Sequence, residues 1–259
     1  MTMGKFWGVV ENVIDESDFV IEVLDARMIE LTRNKKAERL VKKKGKLLIL
    51  VANKADFVSE KTIELYKKKF EKIPFFFVSI RNRRGVTPLK RKLFEIVEKR
   101  SKHYMINISV IGYPNTGKSS LINALCGRKK LRIGSKPGRT KGHQWIRVGS
   151  NIRFIDTPGV IPLSDADEVK QILMNTLDPS KSSRVDDAAK EIVKIFLKQN
   201  RKALENMYKI DTRGKTFKKI VKEIGESKKM MIKGGKIDER RVHLKIIDDW
   251  QKGKLLLKN

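Results

Sequence analysis

Ile106-Asn107-Ile108-Ser109-Val110-Ile111, followed at once by Gly112-Tyr113-Pro114-Asn115-Thr116-Gly117-Lys118-Ser119, is the stretch from which the fold can be read. The first six residues read as a buried strand. The next eight fit the spacing G-x₄-G-K-S, and Ser120 to Leu125 reads as a helix stopped by Gly127. Strand, glycine-rich loop and helix in that order make a phosphate-binding loop. Glycines allow backbone N–H groups to curl around an anion at a helix N-terminus, where the helix dipole favours negative charge. Thr116, Gly117, Lys118, Ser119 and Ser120 are therefore expected to hold phosphates. Lys118 is expected to reach the β- and γ-phosphates and the Ser119 hydroxyl to ligate Mg²⁺.

Three further strand ends carry matching chemistry. Ile152-Arg153-Phe154-Ile155 runs into Asp156-Thr157-Pro158-Gly159. Asp156 is expected to hold Mg²⁺ through water and the Gly159 N–H to sense the γ-phosphate. Leu47 to Ala52 leads into Asn53-Lys54-Ala55-Asp56. A carboxylate at Asp56 accepts from the N1–H and exocyclic amine of guanine, which adenine does not offer, so GTP or GDP is the expected ligand. Phe75 to Val78 leads into Ser79-Ile80, whose backbone N–H groups are candidates for a second base contact. Pro137-Gly138-Arg139-Thr140 lies between the loop helix and the next strand, and Thr140 is a candidate switch residue that closes on Mg²⁺ when the γ-phosphate is present.

Strands alternate with amphipathic helices over the first two thirds of the chain. Phe19 to Leu24 is a further buried run. One helix starts at Ser59 and faces inward through Ile63, Tyr66 and Phe70. Another is expected to begin with Thr87 as cap and Pro88 at its first position, then to bury Leu89, Leu93, Ile96 and Val97. This pattern predicts an α/β fold, a mostly parallel sheet with helices on both faces. Val148 to Phe154 reads as a hairpin that adds an antiparallel edge. Beyond Leu163 only helical periodicity remains, through Ile192, Phe196 and Leu197, then Phe217, Ile220, Val221 and Ile224, then Val242, Ile246 and Trp250. The expected division is a nucleotide-binding domain over 1–163 and a small all-α domain over 164–259.

Lys and Arg number 59 against 30 Asp and Glu, a formal net charge of +29. So large an excess attracts a polyanion, and nucleic acid is the expected one. Lys218-Lys219, Lys228-Lys229 and Arg240-Arg241 are candidate phosphate contacts. Cys126 is the only cysteine, so no intrachain disulfide forms and no zinc site is expected. No apolar run is long enough for a transmembrane helix and no secretory signal is seen, which predicts a soluble cytoplasmic protein with no membrane partner. A monomer is expected.

The motif order is unusual. Asn53-Lys54-Ala55-Asp56 precedes the phosphate loop, and Asp156 comes last. Because strand ends define the site, the same sheet can be closed from this permuted order. The chain resembles the circularly permuted GTPases of the YlqF/RbgA and YawG type, a family associated with large ribosomal subunit assembly. Asp25-Ala26-Arg27 is similar to that family's Asp-Ala-Arg signature. Gly234-Gly235-Lys236-Ile237-Asp238 and Trp250-Gln251-Lys252-Gly253-Lys254 resemble its C-terminal RNA-binding domain, although Trp250 at helical spacing reads as core. The resemblance implies a P-loop GTPase fold, rRNA and the large subunit or its precursor as partners, and GTP hydrolysis that is slow without them. Val160 stands where Ras-like proteins carry the water-orienting Gln, and no histidine precedes His103. His143 reads more readily as a structural polar residue than as a replacement. Asn115 is similar to the asparagine that supports K⁺ in potassium-dependent GTPases, with K⁺ as a possible further cofactor and a catalytic part for Asn115, Lys118, Thr140 and Gly159. Open alternatives are a GTPase of tRNA modification or translation, and an RNA-binding module whose nucleotide is structural.

Overall fold

Phe19-Val20-Ile21-Glu22-Val23-Leu24-Asp25 forms β1, buried along its whole length. A strand covered on both faces must be apolar at nearly every position, and in a parallel sheet this is the usual state. The computed structural model describes residues 3–100, 105–127, 144–148, 151–156 and 167–258. It divides into two compact units, 1–165 and 166–259.

In the first unit, α1 (Met3–Asp15) precedes β1 (Phe19–Asp25), and a short 3-10 turn leads into α2 (Ile29–Thr32) and α3 (Lys35–Lys43). Then come β2 (Leu47–Asn53), α4 (Glu60–Lys69), β3 (Phe75–Phe77), α5 (Val86–Arg100), β4 (Ile106–Ile111), α6 (Lys118–Cys126), β5 (Gln144–Val148) and β6 (Ile152–Asp156). The sheet order is β3-β2-β1-β4-β6-β5. All neighbours pair in parallel except β5 with β6, so β5 is the antiparallel edge. Strand alternation sorts the core into two layers. Phe19, Ile21 and Val23 pack with Leu89 and Leu93 of α5 and Leu121 and Leu125 of α6. Val20 faces the other way, toward Val10 and Ile14 of α1 and Ala37 and Val41 of α3.

The sequence reading missed α1, whose Trp7, Val10 and Ile14 lie at helical spacing, and it placed the start of α5 too late. That helix begins at Val86, and the Leu89 N–H donates to the Gly85 carbonyl at 3.3 Å. Gly85 turns at φ +74, and a Cβ there would collide with the Phe77 carbonyl. Pro88 is therefore inside the first turn rather than at its first position. Ser59 caps α4 as expected, accepting from the Thr62 N–H.

Chain order runs outward from β1 to β3 on one side and from β4 onward on the other. The switch point lies between β1 and β4, and in open α/β sheets ligands bind at the strand carboxyl ends beside it. The carboxyl ends of β1, β2, β3, β4 and β6 all lie at this edge.

The second unit contains α7 (Glu168–Leu173), α8 (Val185–Gln199), α9 (Arg201–Tyr208), α10 (Phe217–Ser227) and α11 (Glu239–Gln251). Its core joins Ile192 and Phe196 of α8, Ile220 and Ile224 of α10, and Val242, Ile246 and Trp250 of α11. Trp250 is fully buried, meets Phe196 edge-on at 6.1 Å and donates its indole N–H to the Leu173 carbonyl at 3.0 Å. Its polar tip is thereby satisfied, as a buried Trp requires. Asp238 caps α11 through the Arg241 N–H.

Candidate nucleotide site

The loop after β4 is shaped by positions where only glycine fits. Gly112 has φ +142, and a Cβ there would lie 2.5 Å from the Val23 carbonyl of β1. Gly117 has φ +103, and its Cβ would run into the Asn53 side-chain amide. Between them Asn115 adopts φ +61 and Thr116 is buried, donating its hydroxyl to the Tyr113 carbonyl at 2.9 Å. The loop ends at the N-terminus of α6, with Ser119 and Ser120 in its first turn. Lys118 is buried and folds back over the loop, its Nζ donating to the Gly112 and Tyr113 carbonyls, each at 2.9 Å. A curled loop on a helix N-terminus, with a lysine across its mouth, is an anion cradle by construction.

Asn53 at the end of β2 ties the base segment to this cradle. Its Nδ2 donates to the Thr116 carbonyl at 2.9 Å, across 63 residues of sequence. Its Oδ1 accepts from the Ile80 N–H at 3.4 Å. One side chain thus links the loops after β2, β3 and β4. The Ser79 N–H donates to the Arg84 carbonyl at 2.9 Å. A base contact through either N–H, as the sequence suggested, has to displace these protein acceptors. Asp56 is half-buried and lines a cleft of about 220 Å³ together with Ser79, Phe77 and Arg84.

Lys54 turns the chain through the left-handed region at φ +64. Its ammonium lies 2.7 Å from Asp25 Oδ2. Asp25 also receives Arg27, through Nε at 3.0 Å, Nη2 at 2.8 Å and the backbone N–H at 3.0 Å. Burial pushes the Asp25 carboxyl up, but the charges of Arg27 and Lys54 together outweigh it and hold the group well below the usual carboxylate range. This gives Asp25 and Arg27 the role the sequence withheld: they anchor the turn that presents Asp56. The signal was the Asp-Ala-Arg triplet itself, but its partner Lys54 lies 29 residues further on.

Asp156 closes β6 opposite Val110 of β4, which places its backbone beside the start of the phosphate loop. Its side chain lies outside the described residues, as do Thr140, His143, Gly159 and Val160. Among the described residues no cluster of His, Cys, Asp and Glu suits a metal by itself.

Residues 107–233 match the family described as 50S ribosome-binding GTPase. An uncharacterized GTP-binding protein of Methanocaldococcus jannaschii is 37% identical over 95% of this chain, which covers 65% of it. Nucleolar GTP-binding protein 2 of Saccharomyces cerevisiae is 33% identical over 97% of this chain, which covers 52% of it. The chain thus spans about half to two thirds of the length of these relatives. Among solved structures, GDP-bound YlqF of T. maritima superposes with a TM-score of 0.66 at 21% identity, covering 96% of each chain. GNP-bound YlqF gives 0.64 at 22% identity, covering 98% and 96%. With the base segment preceding the phosphate loop and the carboxyl ends of its parallel strands gathered at one sheet edge, the chain has the fold of the YlqF structures, and its phosphate-loop half matches the 50S ribosome-binding GTPase family.

Proposed function

We propose that this protein binds GTP and GDP with Mg²⁺, hydrolyses GTP, and uses the two states to dock on and leave the large ribosomal subunit or its precursor. The observation that carries the nucleotide reading is the Asn53–Thr116 bond. It joins the guanine-reading segment to the phosphate cradle at a spacing that neither motif requires alone. Asp56 selects guanine by accepting from its N1–H and amine. Lys118 exchanges its two loop carbonyls for phosphate oxygens, so its charge is already held where the anion arrives. Ser119 and Asp156 hold Mg²⁺, which when bound neutralises charge developing on the phosphates. Thr140 and Gly159 report the γ-phosphate, and Asn115 offers a side-chain oxygen for K⁺. The ribosomal partner is supported by the family description, by the nucleolar relatives and by the net charge of +29.

Hydrolysis of GTP in K⁺ buffer, with and without large subunits, tests both halves of the proposal. Stimulation by subunits is expected, because Val160 cannot orient the attacking water. Asp56→Asn is expected to weaken GDP binding by on the order of 10²–10⁴, since the amide then faces the base's donors with a donor of its own. Unchanged GDP affinity in that variant would remove the base-reading role, and subunits that leave turnover unchanged would remove the ribosomal one.

A further inference from the structure

Residues 1–165 carry 35 basic against 16 acidic residues, and residues 166–259 carry 24 against 14. Most of the positive excess therefore belongs to the nucleotide-binding unit, and docking through the helical unit alone leaves it without a partner. Its densest run is Arg33 to Lys46, with eight basic residues and Glu38 as the single acid.

The structure arranges this run into a groove. Helix α3 buries Ala37 and Val41, which turns Lys35, Arg39 and Lys42 outward at i, i+4 and i+7 along one exposed face. That face forms one wall of a cavity of about 600 Å³, with Leu47, Leu48, Ile73 and Pro74 as an aliphatic floor and exposed Lys72 beyond it. Glu38 is fully engaged by Arg33, at 2.7 and 2.6 Å through a two-pronged bond. Lys35, Arg39, Lys42 and Lys72 form no ion pair among the described residues. Like charges one turn apart on a helix destabilise it by a few tenths of a kcal/mol, unless a polyanion lies against them. Among the described residues no aromatic ring lines the groove, so its lining offers aliphatic and basic side chains rather than a platform for stacking bases. Its chemistry suits a phosphate backbone.

The groove also lies at the amino ends of β2 and β3, near Leu47 and Pro74, whereas Asn53 and Ser79 stand at the carboxyl ends. The length of β2 separates the two by about 20 Å at ~3.3 Å per residue. A ligand in the groove leaves the nucleotide cradle open.

We propose that the α3 groove binds the sugar-phosphate backbone of RNA, a second docking contact carried by the nucleotide-binding unit itself. This rests on the RNA reading above. The test is a salt titration with a labelled mixed-sequence RNA hairpin bearing a single-stranded tail. It compares the wild type, the triple variant Lys35→Gln/Arg39→Gln/Lys42→Gln, and Lys218→Gln/Lys219→Gln in α10. Loss of three phosphate contacts is expected to lower the slope of log K against log salt by about 2 and to weaken binding at low salt, with GDP affinity unchanged. If the triple variant keeps wild-type slope and affinity while the α10 variant loses them, the groove assignment falls and RNA docking stands. A wild type that binds no RNA at low salt removes the docking reading and the groove with it. Phosphatidylserine vesicles that bind as tightly as RNA, with the same dependence on the three side chains, overturn the assignment in favour of a membrane surface.

Discussion

Asp25→Asn is the most informative single substitution, because it keeps the side chain's shape and removes only its charge. Asp25 is 1% exposed and Arg27 5% exposed, so the guanidinium is almost wholly shut off from water. In the variant, Arg27 and Lys54 face a neutral amide and each other. Breaking a buried pair by removing one partner costs about 3–5 kcal/mol. Lys54 is 28% exposed and can turn outward, which favours the lower end, about 3 kcal/mol. At roughly 2–4 °C per kcal/mol for a domain of this size, the melting temperature should fall by about 6–12 °C at pH 7. The pH dependence has a fixed sign. Asp25 is held below its unfolded value of about 3.9, so its stabilisation is present above that pH and is lost as the pH falls through the lower folded value. The gap between wild type and variant should therefore close progressively below about pH 4. Thermal unfolding from pH 7 down to pH 2, followed by intrinsic fluorescence, measures it. A variant that melts within about 2 °C of the wild type at pH 7, or a gap independent of pH, would show that Asp25 does not hold the two cations.

Asn53→Ala strands the Thr116 carbonyl and the Ile80 N–H, at about 1–3 kcal/mol for a buried group left unpaired. GDP affinity by titration should drop about 10-fold or more, the equivalent of 1.4 kcal/mol, and unchanged affinity would break the link drawn between the three loops. Glu22 in β1 accepts from the Asn34 N–H at 2.6 Å, yet burial and then the neighbouring Glu38 push its carboxyl well above the usual range. A raised carboxyl makes the wild type lose stability as pH climbs from its unfolded value toward the folded one, by up to about 1.4 kcal/mol per pH unit. Glu22→Gln should flatten that decline and unfold at higher denaturant concentration at pH 8, whereas a less stable Gln variant there would contradict the assignment.

Much of the fold and site was legible because the signals are local. A strand covered on both faces is apolar at nearly every position, and β1 and β2 were found that way, while β4, with Asn107 and Ser109 in it, was found with the phosphate loop that follows it. The phosphate loop was legible because backbone curvature demands glycine at fixed spacing, and Gly112 and Gly117 stand where a Cβ would collide with β1 and with Asn53. Helix α1 was missed because its apolar stripe, Trp7, Val10 and Ile14, is narrow. The start of α5 was misplaced because Thr87-Pro88 mimics a cap, while the actual constraint is the close approach of Gly85 to Phe77.

Residue types and their spacing suffice for the permuted α/β architecture, for guanine as the expected base and for a polyanion as the expected partner. These depend on residue types at short spacing and on a sum of charges, which no folding step can alter. The folded chain adds the tie from Asn53 to the phosphate loop, the anchoring of Lys54 by Asp25 and Arg27, and the groove beside the basic face of α3. Each of those depends on which strand lies beside which, and contacts spanning 29 or 63 residues leave no periodicity in the chain to read.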